Sequence, residues 1–351
     1  MSIRVVQWGT GNVGRYSLDA VLADAELRLV GCHVTSPEKV GLDVGELLGR
    51  PPIGVRATGS IDEVVAMRPD CVLHMPLPSA QVGDDPGHDT DVLCALLASG
   101  INVVTTVGYV YPKAYGPEVE TRLRDACMHG GASLHGTGAN PGFMSELVPL
   151  VLSGLSRRIT RVLVRESSEF SRYPSPQIIM GMMGFGQHPD AFRVHSARYQ
   201  RWLTGLFSES VMMVADGLGV ELDSIEVHSE EAVTADELTI AAGVLPPGSV
   251  AAQQWSWSGL VRGHEVVRLE AIYKAHPAVA PEWSSPAWVC RIEGDPRINL
   301  EADRWITNGL LATAMHAVHA VPAVCSAAPG IRTFLDLPLI VGRGSVHLPA
   351  G

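Results

Sequence analysis

The stretch Gly9-Thr10-Gly11-Asn12-Val13-Gly14 decides the first half of the fold. It has the spacing G-x-G-x-x-G, follows an apolar run over residues 3–8 and opens a helical pattern over residues 12–23. A second apolar run covers residues 27–34, so the glycines occupy the first turn of a β-α-β unit. In this context the first glycine allows a tight turn, the second lets the backbone approach a pyrophosphate, and the third permits close packing of helix on strand.

This unit predicts a Rossmann-type domain that binds a nicotinamide dinucleotide, since the start of the helix offers free N–H groups and a partial positive charge. A glycine turn that serves packing alone is the alternative. The residues expected to hold the cofactor phosphates at this turn are Gly9, Thr10, Gly11, Asn12, Val13, Gly14 and Arg15.

Strands and helices keep alternating as far as residue 140. Further strands are expected over residues 71–75, 101–106 and 132–135, and helices over residues 88–99 and 113–129. Strands that alternate with helices of this length indicate a parallel sheet covered on both faces. The sequence therefore predicts an α/β fold whose N-terminal domain, residues 1–140, is a doubly wound parallel sheet.

The pattern changes after residue 140. A helix over residues 143–153 is followed by long alternating strands over residues 161–166, 249–260, 264–273 and 287–293, the last turning at Gly294-Asp295. These strands predict an α+β lobe, residues 141–304, whose mostly antiparallel sheet builds the substrate pocket and the oligomer contact. An apolar helix over residues 305–321, ended by Pro322, then opens a segment, residues 305–351, that returns toward the Rossmann domain.

Composition excludes several classes of protein. The net charge of -11 and the lack of a basic run argue against nucleic acid as a partner. The 13 histidines and six cysteines show no metal-ligand spacing, so no metal site is expected. The first strand leaves no room for a signal peptide, and no stretch of 18 uninterrupted apolar residues occurs. We expect a soluble, cytoplasmic protein with a small-molecule substrate and no membrane partner.

The end of the second strand predicts which dinucleotide is bound. Enzymes that use NAD place a carboxylate there on the ribose hydroxyl, whereas this chain has His33-Val-Thr35-Ser36. Thr35 and Ser36 can hydrogen-bond a 2′-phosphate, and Arg15 and Lys39 can add positive charge. NADP is therefore expected, although Glu38 keeps NAD open.

Three later motifs carry a resemblance to a known family. Gly41-Leu-Asp43-Val-Gly45-Glu46-Leu-Leu-Gly49 resembles a segment of dihydrodipicolinate reductases. Gly136-Thr-Gly138-Ala-Asn140-Pro141-Gly142-Phe143 and the run from Ala320-Val-Pro322 to Pro329-Gly330-Ile331 look closer to their relatives, the 2,4-diaminopentanoate dehydrogenases and native amine dehydrogenases. The likeness implies NAD(P)H, hydride transfer to an imine carbon and a homodimer. It also implies that Asn140 contacts the nicotinamide carboxamide, and a purely structural Asn-Pro-Gly turn is the alternative.

The sequence departs from the family at the expected acid–base residue. Amine dehydrogenases carry a glutamate just after the strand equivalent to residues 101–106, where this chain has Gly108. We therefore consider four residues for proton transfer: Tyr109, Tyr111, Glu166 and His135. The tyrosines could instead pack, Glu166 could pair with an arginine, and His135 could be a core residue.

Three functions remain open from the sequence alone. The first is an oxidoreductase that interconverts a ketone or imine with an alcohol or amine. The second is a sensor that binds NADP(H) without turnover. The third, a true dihydrodipicolinate reductase, is disfavoured because the strand over residues 161–166 lacks that family's histidines and lysine.

Overall fold

The structure, a computed structural model, describes residues 2–81, 85–195, 197–283, 288–303 and 306–346. The chain forms two compact units. The first comprises Met1–Phe143 together with Asn308–Gly351, and the second comprises Met144–Thr307.

The first unit is a sheet flanked by helices, numbered here along the whole chain. Its strands are β1 (Ile3–Trp8), β2 (Leu27–His33), β3 (Ala57–Thr58), β4 (Cys71–His74), β5 (Asn102–Thr105), β6 (Ser133–Gly136) and β15 (Gly330–Ile331). Its helices are α1 (Asn12–Ala23), α2 (Val44–Leu47), α3 (Ile61–Ala66), α4 (His88–Ala98), α5 (Pro117–Gly130) and α9 (Gly309–Ser326).

All neighbours in this sheet are parallel, in the order β15-β6-β5-β4-β1-β2-β3. Successive residues of a strand face opposite sides, so Val5 and Val6 of β1 enter two different cores. One core contains Val318 and Val321 of α9, and the other contains Leu93 of α4. The predicted doubly wound parallel sheet is confirmed.

The expected end of the apolar helix at Pro322 is wrong. Helix α9 begins after the cap residue Asn308, whose side chain accepts from the Leu311 N–H at 3.0 Å, and it continues through Pro322 to Ser326. Pro322 removes one donor on the exposed side of the helix, while Val321 and Val324 anchor the buried side. By length and composition α9 could cross a membrane, but its buried face belongs to the first unit's core, so it is a core helix.

The second unit contains the remaining elements. Its strands are β7 (Arg158–Glu169), β8 (Ser224–Val233), β9 (Leu238–Ile240), β10 (Gly243–Leu245), β11 (Val250–Val261), β12 (His264–Lys274), β13 (Trp288–Asp295) and β14 (Ile298–Ala302). Its helices are α6 (Val148–Ser153), α7 (Pro189–His195) and α8 (Ala197–Gly217).

A six-stranded sheet in the order β14-β13-β7-β12-β11-β8 organises this unit. Only the β7–β12 pair is parallel, which confirms a mostly antiparallel sheet. Helix α8 packs on one face, where the Phe207 and Trp257 ring centroids are 4.7 Å apart. The turn predicted at Gly294-Asp295 is wrong, because β13 runs through both residues. Gly294 instead permits close approach to β7, since a Cβ there would lie 2.0 Å from the Arg158 carbonyl oxygen.

Candidate functional site

In the glycine turn after β1, the second glycine faces open space, whereas the first and third are closely packed. A Cβ on Gly9, whose φ is +94°, would lie 2.6 Å from the Met75 carbonyl oxygen. A Cβ on Gly14 would lie 2.1 Å from the Gly9 carbonyl oxygen. Neither position accepts a side chain, whereas nothing lies within 4 Å of a Cβ placed on Gly11. The turn and helix α1 are thus packed closely at Gly9 and Gly14, and open space lies next to Gly11.

A buried side-chain network holds this turn. Gln7 donates to the Gly9 carbonyl at 3.0 Å and accepts from the Ser17 hydroxyl of α1 at 2.7 Å. Gly11, the cap residue of α1, provides no side-chain cap, so the N–H groups of the first turn can bind an anion. The residues present therefore fit the pyrophosphate of a dinucleotide.

A cation lies against the same turn. The Lys39 ammonium group is 3.3 Å from the Thr10 hydroxyl oxygen, although the two residues are 29 positions apart. Thr35 is exposed and Ser36 is half-buried on the segment between β2 and Lys39, and Arg15 is exposed on α1. The structure thus brings Lys39 to the glycine turn.

Three aromatic side chains that our sequence analysis did not identify lie next to each other at the ends of three strands. Trp8, His33 and His74 are the last residues of β1, β2 and β4, which are neighbours in the sheet. The Trp8 ring stacks on His33 with centroids 3.5 Å apart and lies 5.8 Å from His74. Burial lowers the pKa of His33 to about 4 and that of His74 to about 3, so both rings are neutral at pH 7. Their shared position at strand ends is the signal that could have found them.

His135 lies at the carboxyl end of β6, fully buried. Its Nδ1 is 2.7 Å from the Arg332 carbonyl oxygen, and since a carbonyl only accepts, Nδ1 carries the proton. Burial lowers the pKa of His135 to about 4. Its neighbour on α9 is His316, whose Nδ1 is 2.7 Å from the Thr137 hydroxyl. Burial lowers the pKa of His316 to about 4 as well.

The Asn-Pro-Gly turn follows β6 directly. Asn140 is half-buried and extended, with φ -160°, and the peptide bond to Pro141 is cis. Gly142 has φ +129°, a conformation that favours glycine, and the Phe143 N–H donates to the Gly138 carbonyl at 3.0 Å. Because the Ala139 N–H also donates to the Thr313 hydroxyl of α9 at 3.2 Å, the turn that carries Asn140 is fastened to that helix.

The two candidate tyrosines have different surroundings. The Tyr109 ring is buried, and its hydroxyl is 2.8 Å from the Thr90 hydroxyl of α4. Tyr109 has φ +59°, and its backbone packs on Gly136, where a Cβ would lie 2.2 Å from the Tyr109 carbonyl carbon. Tyr111 is half-buried and lines a surface pocket. The glycine at position 136 therefore allows the loop after β5 to lie on the end of β6.

Glu166 is half-buried in the second unit, on β7. Its carboxylate accepts a hydrogen bond from the Tyr273 hydroxyl of the adjacent strand β12. Burial, then the Glu166 charge, raises the pKa of Tyr273 well above 10, and the same two causes raise the pKa of Tyr199. The Phe170 ring lies 5.8 Å from that of Tyr273. The Glu166 carboxylate therefore lies near two tyrosine hydroxyls that keep their protons at neutral pH.

Arg165, which precedes Glu166 on β7, forms an ion pair with Glu270. Its Nε donates to the Glu270 Oε2 at 2.5 Å. Arg268 donates to the other oxygen of Glu270 at 2.6 Å, and it also bonds Glu265. Because adjacent residues of a strand face opposite sides of the sheet, this ion-pair network lies on the face away from Glu166.

Comparison with known proteins identifies the family of this chain. Residues 143–344 match the family model of the 2,4-diaminopentanoate dehydrogenase C-terminal domain. An amine dehydrogenase of Streptomyces virginiae is 32% identical, over 97% of this chain and 98% of its own length. The 2,4-diaminopentanoate dehydrogenase of Acetoanaerobium sticklandii is 26% identical, over 71% of this chain and 70% of its own length.

The fold is shared with a solved structure of the same kind. The amine dehydrogenase of Mycobacterium smegmatis superposes with a TM-score of 0.80 at 23% identity, covering 98% of both chains. At that identity the structural likeness shows only that the fold is shared. Membership of the family rests on the sequence matches. This chain belongs to the family of the amine dehydrogenases and 2,4-diaminopentanoate dehydrogenases, and it is an NAD(P)-dependent oxidoreductase.

Proposed function

We propose that this enzyme transfers a hydride between NADP(H) and a small carbonyl, imine or amine substrate. When bound, the nicotinamide supplies or accepts the hydride, and the chain must bind it, orient the substrate and move a proton. The observation that carries the proposal is the glycine turn, which has no space for a side chain at Gly9 and Gly14 but has open space at Gly11. The names of the related amine and 2,4-diaminopentanoate dehydrogenases support the substrate class.

NADP is the proposed cofactor, and Lys39 is the main reason. Its ammonium group donates a hydrogen bond to the Thr10 hydroxyl, so the segment after β2 contacts the glycine turn at this point. Thr35 and Ser36 on that segment supply hydroxyl donors, and Arg15 adds a second cation on α1. A 2′-phosphate satisfies such a cluster of donors better than a ribose hydroxyl does. For the other end of the cofactor we propose that Asn140 pairs with the carboxamide.

Glu166 is the proposed acid–base residue, in the role that the resemblance gives to a glutamate at the position of Gly108. In the direction of amine oxidation the Glu166 carboxylate takes a proton from the substrate ammonium group, which leaves the neutral amine. Tyr273, which keeps its proton, orients the carboxylate through their hydrogen bond. Tyr109, Tyr111 and His135 stay predictions for proton transfer. A homodimer, which the resemblance implies, and a location in the cytoplasm complete the proposal.

A direct assay tests this function. The protein is mixed with NADPH, ammonium chloride and a panel of aliphatic ketones, aldehydes and cyclic imines, and the loss of reduced-nicotinamide absorbance is followed. We expect ammonia-dependent consumption with at least one carbonyl, and faster consumption of NADPH than of NADH. Consumption without ammonia would restrict the enzyme to carbonyl or imine reduction. Tight NADPH binding with no consumption across the panel would contradict the proposal and favour a sensor.

A further inference from the structure

Helix α9 contacts both segments of the first unit to which we assign the cofactor. At its start, the Asn308 side chain donates to the Tyr16 hydroxyl at 3.0 Å. Tyr16 lies on α1, the helix that follows the glycine turn. Farther along, α9 contacts the segment over residues 137–142, named here the Asn140 turn after the residue it carries. The helix therefore joins the Asn140 turn to the helix of the glycine turn.

Two side chains of α9 form hydrogen bonds to the Asn140 turn. The Thr313 hydroxyl accepts from the Ala139 N–H at 3.2 Å, and the His316 Nδ1 lies 2.7 Å from the Thr137 hydroxyl oxygen. Because Thr313 and His316 are three residues apart, they lie on the same side of the helix. Thr137 and Ala139 are only 2% and 8% exposed, so water competes little for either bond.

The backbone of the Asn140 turn lies close to the helix between these two bonds. A Cβ on Gly138 would lie 2.8 Å from the Pro141 carbonyl oxygen and 3.6 Å from the Thr313 Cγ2. Glycine at this position thus lets the turn fold back on itself while it stays in contact with α9. Asn140 lies two residues further along, so its position depends on how the turn is held.

Packing alone does not account for a histidine at position 316. The His316 ring lies among aromatic side chains, with centroid distances of 5.3 Å to Phe143 and 5.6 Å to Phe334. Its Nε2 is buried and has no hydrogen-bond partner among the residues that the structure describes. A buried polar atom without a partner costs stability, and an apolar side chain would avoid that cost. The hydrogen bond to Thr137 is what the imidazole adds here.

We propose that Thr313 and His316 are positioning residues, which hold Asn140 where its amide pairs with the nicotinamide carboxamide. The inference rests on the proposed function, because the contact between Asn140 and the carboxamide is part of it. Both residues act through Asn140 and not on the reacting atoms. Their loss should therefore weaken the hold on the nicotinamide end of the dinucleotide, while the adenosine end, assigned to the glycine turn and Lys39, is bound as before.

Calorimetric titration of the full chain with two probes tests the proposal. NADPH reports on the whole dinucleotide, and adenosine 2′,5′-bisphosphate reports on the end without nicotinamide. Thr313→Val and His316→Leu each remove one hydrogen bond to the turn, whereas His316→Asn keeps a polar side-chain atom that can reach Thr137. His319→Leu is the matched control, since His319 is half-buried on the same helix and lies 3.2 Å from the Ser345 hydroxyl instead. Tm and kcat are measured for every variant.

We expect Thr313→Val and His316→Leu to bind NADPH about three- to tenfold more weakly and adenosine 2′,5′-bisphosphate as the wild type does. Their kcat should fall as well, because the nicotinamide is less well oriented. His316→Asn should recover part of both losses, and His319→Leu should match the wild type with both probes. A purely structural role would lower Tm without changing the ratio of the two affinities, and that result would overturn the proposal.

Asn140→Ala distinguishes failure of this inference from failure of the proposed function. If Asn140→Ala weakens NADPH binding while Thr313→Val and His316→Leu do not, the positioning role is wrong and the contact with the carboxamide stands. If Asn140→Ala leaves NADPH binding and kcat at the wild-type level, the proposed contact itself is wrong, and the positioning role is overturned with it.

Discussion

The Tyr273 hydroxyl donates a hydrogen bond to the Glu166 carboxylate across the parallel pair of strands β12 and β7. Because burial and the Glu166 charge raise the pKa of Tyr273 well above 10, the phenol keeps its proton throughout the neutral range. The bond therefore orients the carboxylate without competing for its proton. This relationship makes Glu166 the best-held candidate base among the described residues of the second unit.

Replacing Glu166 by Gln should abolish proton transfer while keeping the shape of the side chain. We expect kcat to fall by about 10²- to 10⁴-fold, with the Kd for NADPH unchanged. Glu169→Gln is the matched control, since Glu169 lies on the same strand and its carboxylate accepts from the Ser171 N–H at 2.5 Å. Steady-state kinetics with the best amine or ketone measures both variants, and equal kcat in the two would remove Glu166 from the mechanism.

Removing only the Tyr273 hydroxyl separates orientation from proton transfer. Tyr273→Phe keeps the ring against Phe170 and deletes the donor to Glu166. We expect a smaller fall in kcat than in Glu166→Gln, and a shift in the acidic limb of the pH–rate profile. An unchanged profile would show that the hydrogen bond has no part in catalysis.

Two alanine substitutions in the glycine turn should affect different properties, Gly14→Ala the stability and Gly11→Ala the binding of NADPH. Gly14→Ala places a Cβ 2.1 Å from the Gly9 carbonyl oxygen, so we expect destabilisation by about 1–3 kcal/mol, read as a lower Tm. Gly11→Ala meets nothing within 4 Å, so Tm should be unchanged. The new methyl group would occupy the space proposed for the pyrophosphate, so NADPH binding should weaken at least about tenfold. Wild-type affinity in Gly11→Ala would move the cofactor away from this turn.

Lys39 should determine the preference for NADP. Lys39→Ala removes the charged hydrogen bond proposed for the 2′-phosphate, worth about 1.5–3 kcal/mol, so NADPH should bind about tenfold or more weakly. NADH binding should change little, because NADH lacks that phosphate. Arg28→Ala, which removes an exposed cation from β2, is the control. Fluorescence titration with both dinucleotides gives the result, and an equal loss for NADH and NADPH would contradict the assignment.

Acid should destabilise the protein through its buried histidines. Burial lowers the pKa of His135 from 6.5 to about 4, so the unfolded chain takes up a proton at a higher pH than the folded chain. The stability from this residue is present above pH 6.5 and is lost as the pH falls toward 4, with a slope of up to about 1.4 kcal/mol per pH unit. His33, His74 and His316 act in the same direction.

Chemical denaturation between pH 7 and 5 measures this slope. His135→Gln should make the loss of unfolding free energy with falling pH less steep, whatever its effect on stability at pH 7. His264→Gln, at an exposed position of β12, should leave the slope as in the wild type. The same slope in all three proteins would mean that His135 binds a proton as easily when folded as when unfolded.

The sequence predicted most of the first unit, because its signals are local. The glycine spacing and the alternation of strands and helices require no knowledge of distant contacts. Strand β8 was missed because its residues are mostly exposed, so an edge strand of this kind shows no hydrophobic alternation. Pro322 misled the prediction of α9 because burial of residues such as Val321 and Val324 outweighs the loss of one N–H donor.

The candidate site was predictable only where its residues are close in the chain. Lys39 could be named because it follows β2, but its contact with Thr10 depends on the fold. Trp8, His33 and His74 are far apart in sequence and meet only because β1, β2 and β4 are neighbours in the sheet. The bond between Glu166 and Tyr273 likewise needs the β7–β12 pairing, which no local pattern reveals.

Transfer of an isotope from cofactor to product tests the central claim most directly. The enzyme is supplied with NADPH deuterated at both C4 positions of the nicotinamide, with ammonia and the best ketone, and the product is analysed by mass spectrometry. The account predicts one deuterium on the carbon that bears the new amine or hydroxyl group, and none with unlabelled NADPH. Product without deuterium, or no product from any carbonyl offered, would contradict hydride transfer by this protein.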